Sequence, residues 1–135
     1  VPARIASHGQ SVVAPLSGRR IDLSWVLSDL ASRDCHEVLA ECGPTLAGAL
    51  IDGNLVDELV LYVAPKLIGQ DGRPLLHLGK IDSMQTVAQW TTADVRQVGQ
   101  DLRVTLRPPN GHWTDNGRSQ CVFLEPIRPM MLQSL

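Results

Sequence analysis

The fold of this chain is decided by one stretch, Leu39-Ala40-Glu41-Cys42-Gly43-Pro44-Thr45-Leu46-Ala47-Gly48-Ala49-Leu50. Residues 37–41, of which 38–40 are apolar, predict a short strand that is buried on both faces. Gly43-Pro44 predicts a turn and the start of a helix over residues 45–52, because proline in the first helical turn lacks only an N–H that would be unpaired there. We expect Gly53-Asn54 to end this helix in the left-handed conformation that helix ends require.

The alternation of strand and helix continues on both sides of this stretch. Residues 11–14 predict a short strand, and Asp22 begins a helical pattern in which Asp22 or Ser24 serves as the N-cap. A long strand is predicted over residues 56–64. Two further strands, 93–97 and 102–107, are joined by a hairpin turn. This order predicts an α/β fold with a mainly parallel sheet and a C-terminal antiparallel hairpin at one edge.

The sequence changes character after Arg107. The run Pro108-Pro109-Asn110-Gly111 is a turn cluster, and the residues that follow have no sustained periodicity. We therefore divide the chain into residues 1–107, which carry the regular elements, and residues 108–135, a C-terminal extension or tail. The pattern assigns no helix or strand to the extension.

Composition excludes several classes of protein. The chain has 135 residues, the length of one domain, and a net charge of -2, which disfavours nucleic acid as a partner. The longest apolar stretch, residues 59–68, is interrupted by Pro65 and Lys66 and is far shorter than the roughly 20 residues of a membrane span. The first residues resemble no secretory signal. We expect a cytoplasmic protein without a membrane segment.

The turn after the first predicted buried strand is the best candidate for a binding site. In open α/β sheets ligands bind beyond the carboxyl ends of strands, and the free amides of Gly43, Thr45 and Leu46 would suit an anion such as a nucleotide phosphate. Glu41 could accept hydrogen bonds from sugar hydroxyls, and Gly48 permits close approach of a ligand or of another backbone segment. The alternative is a plain strand-to-helix turn whose glycine packs the helix against the strand.

Other chemically capable residues favour structural roles. Asp57 and Glu58 are adjacent in a strand and would face opposite ways. The four histidines lack metal-ligand spacing, and the three cysteines are odd in number without a C-x-x-C pair, so we predict no metal site. Cys42 is interpreted as a small space-filling residue. Lys66 and the pair Arg19-Arg20 are either solvated or at the edge of a ligand site.

Four blocks of sequence resemble the C-terminal half of the riboflavin-biosynthesis reductase domain. They occur in that family's order and spacing, over about residues 10–107, and comprise residues 41–50, 55–59, 62–69 and 94–102. In that family the domain often follows a zinc deaminase domain within one bifunctional chain.

This resemblance implies a dihydrofolate-reductase-like fold with three layers, α/β/α. It implies NADPH as the cofactor and a pyrimidine ribose-phosphate, 5-amino-6-(5-phosphoribosylamino)uracil, as the substrate, whose ribose is reduced to a ribityl chain. The family's substrate-binding glutamate corresponds to Glu41. Its cofactor-binding turn corresponds to Gly43, Pro44, Thr45, Leu46, Ala47, Gly48 and Ala49. The resemblance assigns no catalytic residue.

The resemblance also sets expectations for the chain as a whole. Members of the family are commonly dimeric, so we expect a homo-oligomer. Relative to the family, the reductase domain is incomplete at its N-terminal side, and we expect the chain alone to retain part of the site without binding both ligands tightly. Two alternatives stay open: another dihydrofolate-reductase-like NADPH reductase, or a non-catalytic nucleotide-binding or interaction fragment.

Overall fold

A computed structural model describes residues 9–109 and 121–126 of the chain. Within these ranges the helices are α1 (Leu23–Ala31) and α2 (Pro44–Asp52), and a 3₁₀ turn covers Met84–Thr86. The strands are β1 (Leu16–Ser17), β2 (Arg20–Ile21), β3 (Glu37–Cys42), β4 (Glu58–Val63), β5 (Thr91–Val98), β6 (Asp101–Arg107) and β7 (Cys121–Pro126). None of the helices in the described ranges is long and apolar enough to cross a membrane.

Five strands form a mixed sheet in the order β3-β7-β4-β6-β5, while β1 and β2 form a separate small hairpin. The β3, β7 and β4 strands are parallel, and β6 is antiparallel to both β4 and β5. The predicted hairpin at one edge is confirmed: Val98 lies opposite Asp101, and Gly99 takes the positive φ of 63° that the turn requires. The chain is thus an α/β protein. The prediction of a mainly parallel sheet was wrong: the pairs of β7 with β3 and β4 are parallel, whereas the pairs of β6 with β4 and β5 are antiparallel. The three-layer arrangement stays a prediction.

The core lies between α2 and one face of the sheet. Its buried members come from β3, α2, β4 and the connection between α2 and β4: Cys42, Ala47, Leu50, Val56 and Leu59. Full burial of a leucine side chain contributes about 1.5–3 kcal/mol, so Leu50 and Leu59 anchor α2 to the sheet. This packing holds the start of α2 beside the end of β3, where the candidate site lies.

The prediction that β3 is buried on both faces was wrong. Exposure alternates along the strand, with Glu37, Leu39 and Glu41 exposed and Cys42 buried. Leu39 is 60% exposed, although it is apolar. Only the face of β3 that carries Ala40 and Cys42 joins the core beneath α2. An apolar run therefore predicted the strand correctly and its surroundings incorrectly.

Three other local predictions differ from the structure. Residues 11–14 form no strand, because β propensity alone does not make a strand where no partner strand is present. Val13 in this segment is 93% exposed. The long strand predicted over residues 56–64 is shorter, Glu58–Val63. After α2 the left-handed residue is Asn54, with φ 52°, while Gly53 keeps an ordinary φ of -79°.

Strand β7 lies within the extension, where the sequence pattern assigned no element. It occupies the space between β3 and β4 and pairs with both. The strands β3 and β4 are consecutive in the sheet's chain order and are connected by α2, but they are not neighbours in the sheet. The strand between them, β7, comes from much later in the chain. The division of the chain at residue 107 stays a prediction, but part of the extension belongs to the sheet.

The start of α1 is capped as one of the two sequence options predicted. Asp22 is the N-cap, and its Oδ1 accepts hydrogen bonds from the hydroxyl of Ser24 at 2.7 Å and from the N–H of Trp25 at 3.0 Å. These two bonds stabilise the ionised carboxylate and hold the pKa of Asp22 below its ordinary value, the Ser24 hydroxyl having the larger effect.

We expect the Asp22 cap to weaken in acid. Because the pKa of Asp22 is lower in the folded chain than in the unfolded chain, its contribution to stability is present above the unfolded pKa of about 3.8 and is lost as the pH falls through the folded pKa. Asp22→Asn keeps a capping oxygen that does not titrate. Urea unfolding of both proteins should show a wild-type advantage near neutral pH that shrinks in acid. A difference that is independent of pH would contradict this assignment.

Candidate functional site

The turn between β3 and α2 is open toward solvent. Gly43 is the N-cap in an extended conformation, Pro44 is the first helical residue, and no side chain in the described part of the molecule caps the helix. A Cβ placed on Gly43 would meet no atom within 4 Å. Thr45 and Leu46 are exposed, so the amides of the first turn lie at an accessible, electropositive helix end.

Glu41 stands one residue before this turn on the exposed face of β3. It forms no hydrogen bond or ion pair with the residues that the structure describes. Its neighbour Cys42 lies on the opposite face, 8% exposed, and burial raises the pKa of its thiol. Alternation along the strand therefore separates an exposed carboxylate from a thiol that fills the core, which agrees with the space-filling interpretation of Cys42.

His77 lies beside the start of α2, a position that the sequence did not suggest. Its backbone N–H donates to the carbonyl oxygen of Pro44 at 3.0 Å, and its Nδ1 lies 3.3 Å from Oγ1 of Thr45. Farther along, the N–H of Gly79 donates to Oδ2 of Asp52 at 3.0 Å. Residues 77–79 thus follow α2 from its first turn to its last. No spacing rule could reveal this, because 32 residues separate Thr45 from His77.

Gly48 permits the close approach of another backbone segment, one of the two options left open by the sequence. A Cβ at Gly48 would lie 1.9 Å from the carbonyl oxygen of His77 and 2.6 Å from its carbonyl carbon. Gly48 is buried, and Ala47 is 0% exposed. Of the seven residues assigned to the cofactor by resemblance, the exposed ones are Gly43, Thr45 and Leu46.

The remaining residues singled out from the sequence differ in their surroundings. Glu58 forms an ion pair with Arg107 across the β4–β6 ladder at 3.5 Å, which indicates a structural role. Lys66, Arg19 and Arg20 are exposed. Within residues 9–109 and 121–126, no group of three histidine, cysteine, aspartate or glutamate side chains is arranged to hold a metal ion.

An apolar cavity of about 580 Å³ lies at the other end of α2. Its walls include Ile51 from α2, Leu59 and Leu61 from β4, Trp90 and Leu106. Neither Glu41 nor any residue of the turn at Gly43 lines it. The candidate site is therefore an open surface at the start of α2, next to the carboxyl end of β3.

Comparison with known proteins supports a common origin for these elements. Residues 2–104 match the family model described as the RibD C-terminal domain. The chain is 36% identical over 97 residues to the riboflavin biosynthesis protein RibD of Escherichia coli, covering 72% of this chain and 26% of that protein. It is 31% identical over 90 residues to the 5-amino-6-(5-phosphoribosylamino)uracil reductase of Buchnera aphidicola, covering 67% of this chain and 44% of that protein.

A solved structure of Acinetobacter baumannii RibD matches this fold with a TM-score of 0.62 and 31% identity, covering 76% of this chain and 27% of that one. The chain thus spans about a quarter of the RibD proteins that it resembles. The family match includes β3, α2, β4 and β5, and hence the turn at Gly43. The resemblance inferred from the sequence is confirmed: the chain belongs to the RibD C-terminal domain family.

Proposed function

We propose that this chain forms part of an NADPH-dependent reductase of riboflavin biosynthesis that acts on 5-amino-6-(5-phosphoribosylamino)uracil. Membership of the RibD C-terminal domain family supports a role in this biosynthesis, and the name of the Buchnera relative supports the substrate. The observation that carries the proposal is the uncapped start of α2 beside the exposed carboxylate of Glu41.

The start of α2 suits an anionic cofactor for three reasons. No described side chain occupies its first amides, no acidic residue lies in its first turn, and the space in front of Gly43 is open. Oriented backbone amides and the positive end of the helix dipole favour phosphate groups. We assign Gly43, Pro44, Thr45 and Leu46 to direct contact with the NADPH phosphates, with His77 at one flank.

The buried part of the motif has a supporting role in this proposal. Ala47 packs in the core beneath the sheet and Gly48 lies against the backbone of His77, and together they position the amides at the start of the helix. The half-buried Ala49 keeps its assignment to the cofactor. Glu41 accepts hydrogen bonds from the ribose hydroxyls of the substrate. The chemistry that bound NADPH would supply is a hydride for the sugar carbon that carries the amino group, after the ring C–O bond at that carbon has opened to give an imine-like form. The chain's own residues bind and orient the two ligands.

Placing a negative charge in the first turn of α2 tests the cofactor site. Leu46 is 43% exposed and is the third helical residue. At this position the helix dipole favours a glutamate, so the substitution does not weaken the helix. Leu46→Glu should therefore fold at least as stably as Leu46→Gln, but bind NADPH about tenfold more weakly, because a carboxylate repels phosphates held at this turn. Titration with NADPH followed by cofactor fluorescence measures this difference, and urea unfolding measures stability.

The glutamine variant is the matched control, since both variants lose the leucine side chain and differ only in charge. Equal NADPH affinity of the two variants would reject the start of α2 as the phosphate site. If the unaltered chain binds no NADPH at millimolar concentration, the alternative of a non-catalytic interaction fragment is favoured.

A further inference from the structure

Strand β3 is attached to the sheet through a single neighbour in the described part of the structure. It pairs with β7 over its full length, from Glu37 opposite Cys121 to Cys42 opposite Pro126. On its other side β7 pairs with β4 at two positions, Glu58 with Phe123 and Leu59 with Leu124. The described ladders connect β3 to β4, β6 and β5 only by way of β7.

This neighbour lies outside the part of the chain that the family model matches. The match ends at residue 104, whereas β7 is Cys121–Pro126. The elements that build the candidate site, β3 and α2, lie inside it. Glu41 is opposite Glu125 in the β3–β7 ladder, so the end of β3 that carries the proposed substrate contact is paired with the end of β7.

We propose that residues 121–126 are the positioning segment of the candidate site. They hold β3 in register with β4, and thereby hold Glu41 and the turn at Gly43 against the rest of the sheet. Among the described strands only β7 pairs with β3, so loss of β7 would remove that pairing. The strands β4, β6 and β5 would keep their pairs with one another. Because an isolated strand is not stable, the opening would be local to β3. The statement about ligand binding rests on the proposed function.

A proline in β7 tests this role in the full chain. Leu124 lies opposite both Ala40 and Leu59, and proline at this position removes a backbone donor from the middle of a central strand. In Leu124→Pro the amides of β3 should exchange hydrogen at least about tenfold faster than in Leu124→Val, while the amides of β6 keep their protection. NADPH affinity should fall together with the protection of β3.

The valine variant retains the backbone donor and serves as the rescue control. If the β3 amides are as well protected from exchange in Leu124→Pro as in Leu124→Val, and the two variants have the same NADPH affinity, the positioning role is wrong. If β3 loses protection but neither variant nor the unaltered chain binds NADPH, β7 still positions β3 and the proposed cofactor site fails. The two proposals are therefore separable.

A disulfide with the natural Cys121 tests the register independently of any ligand. Neighbouring strands lie about 4.8 Å apart, within the Cα separation of about 4.4–6.8 Å that a disulfide allows. In a Cys35→Ser background, Glu37→Cys should form a bond to Cys121 within one chain after mild oxidation. Leu39→Cys, whose partner is Phe123, should not. Mass spectrometry of digests identifies the linkage. Absence of the 37–121 bond, or a bond between two chains, would overturn the proposal.

Discussion

Replacing Gly48 by alanine should detach residues 77–79 from α2 and destabilise the domain by about 1–3 kcal/mol, the usual cost of overpacking a tight contact. The new Cβ would lie 1.9 Å from the carbonyl oxygen of His77 and 3.2 Å from its backbone nitrogen. These are main-chain atoms, so no side-chain rotation relieves the clash. The segment or the helix must move, and the contact between Thr45 and His77 would be lost with it.

Hydrogen exchange and urea unfolding check this expectation. The amides of His77 and Gly79 donate to Pro44 and Asp52, so both should exchange faster in Gly48→Ala. Gly43→Ala is the matched control, because a Cβ at Gly43 meets nothing within 4 Å and its φ is an ordinary -76°. Unchanged protection of His77 in Gly48→Ala would show that the close approach of the two backbones is absent in solution.

The second large effect concerns substrate binding. Glu41→Gln should weaken binding of 5-amino-6-(5-phosphoribosylamino)uracil by about 10- to 100-fold, since hydrogen bonds to a charged group contribute about 1.5–3 kcal/mol. NADPH affinity should change little, because the cofactor phosphates are assigned to the amides of α2. Calorimetric titration of the substrate in the presence of NADPH measures the difference.

Glu37→Gln provides the control for Glu41. Both carboxylates are exposed and lie on the same face of β3. They are four residues apart, which is about 13 Å along a strand, so only Glu41 is near the start of α2. Equal loss of affinity in both variants would indicate a general charge effect. Substrate binding that is unchanged in Glu41→Gln would remove the residue from the proposed site.

Much of the local structure could be predicted because it depends on neighbouring residues. Gly43-Pro44 predicted the start of α2, and the helix begins at Pro44. Asp22 was one of two predicted caps for α1 and is the observed one. The hairpin at residues 98–101 was also predicted correctly. In each case the signal is a backbone preference or a side-chain hydrogen bond between residues a few positions apart. Such a signal does not depend on distant segments of the chain.

The candidate site was only partly predictable. Glu41 and the amides after it follow from the order of strand, turn and helix, and their binding roles remain proposals. The approach of His77 to Thr45 and Gly48 has no counterpart in local sequence, because it brings a distant segment against α2. The burial of Ala47 and Gly48 likewise depends on what packs against the helix. Resemblance assigned seven residues as one motif, and tertiary packing separates those that face solvent from those that face the protein.

By itself, the sequence determined the α/β alternation, the uncapped turn after β3 and the family. The tertiary structure decided which face of β3 is covered and which strand lies beside it. A run of apolar residues indicates that a segment favours burial. It does not indicate which distant segment will pack against it. The strand between β3 and β4 starts at Cys121, well beyond the turn cluster at Pro108-Pro109, and is stabilised by backbone pairing with β3 and β4. Such pairing becomes available only when the chain has folded, because the backbone donors and acceptors of every segment are chemically alike.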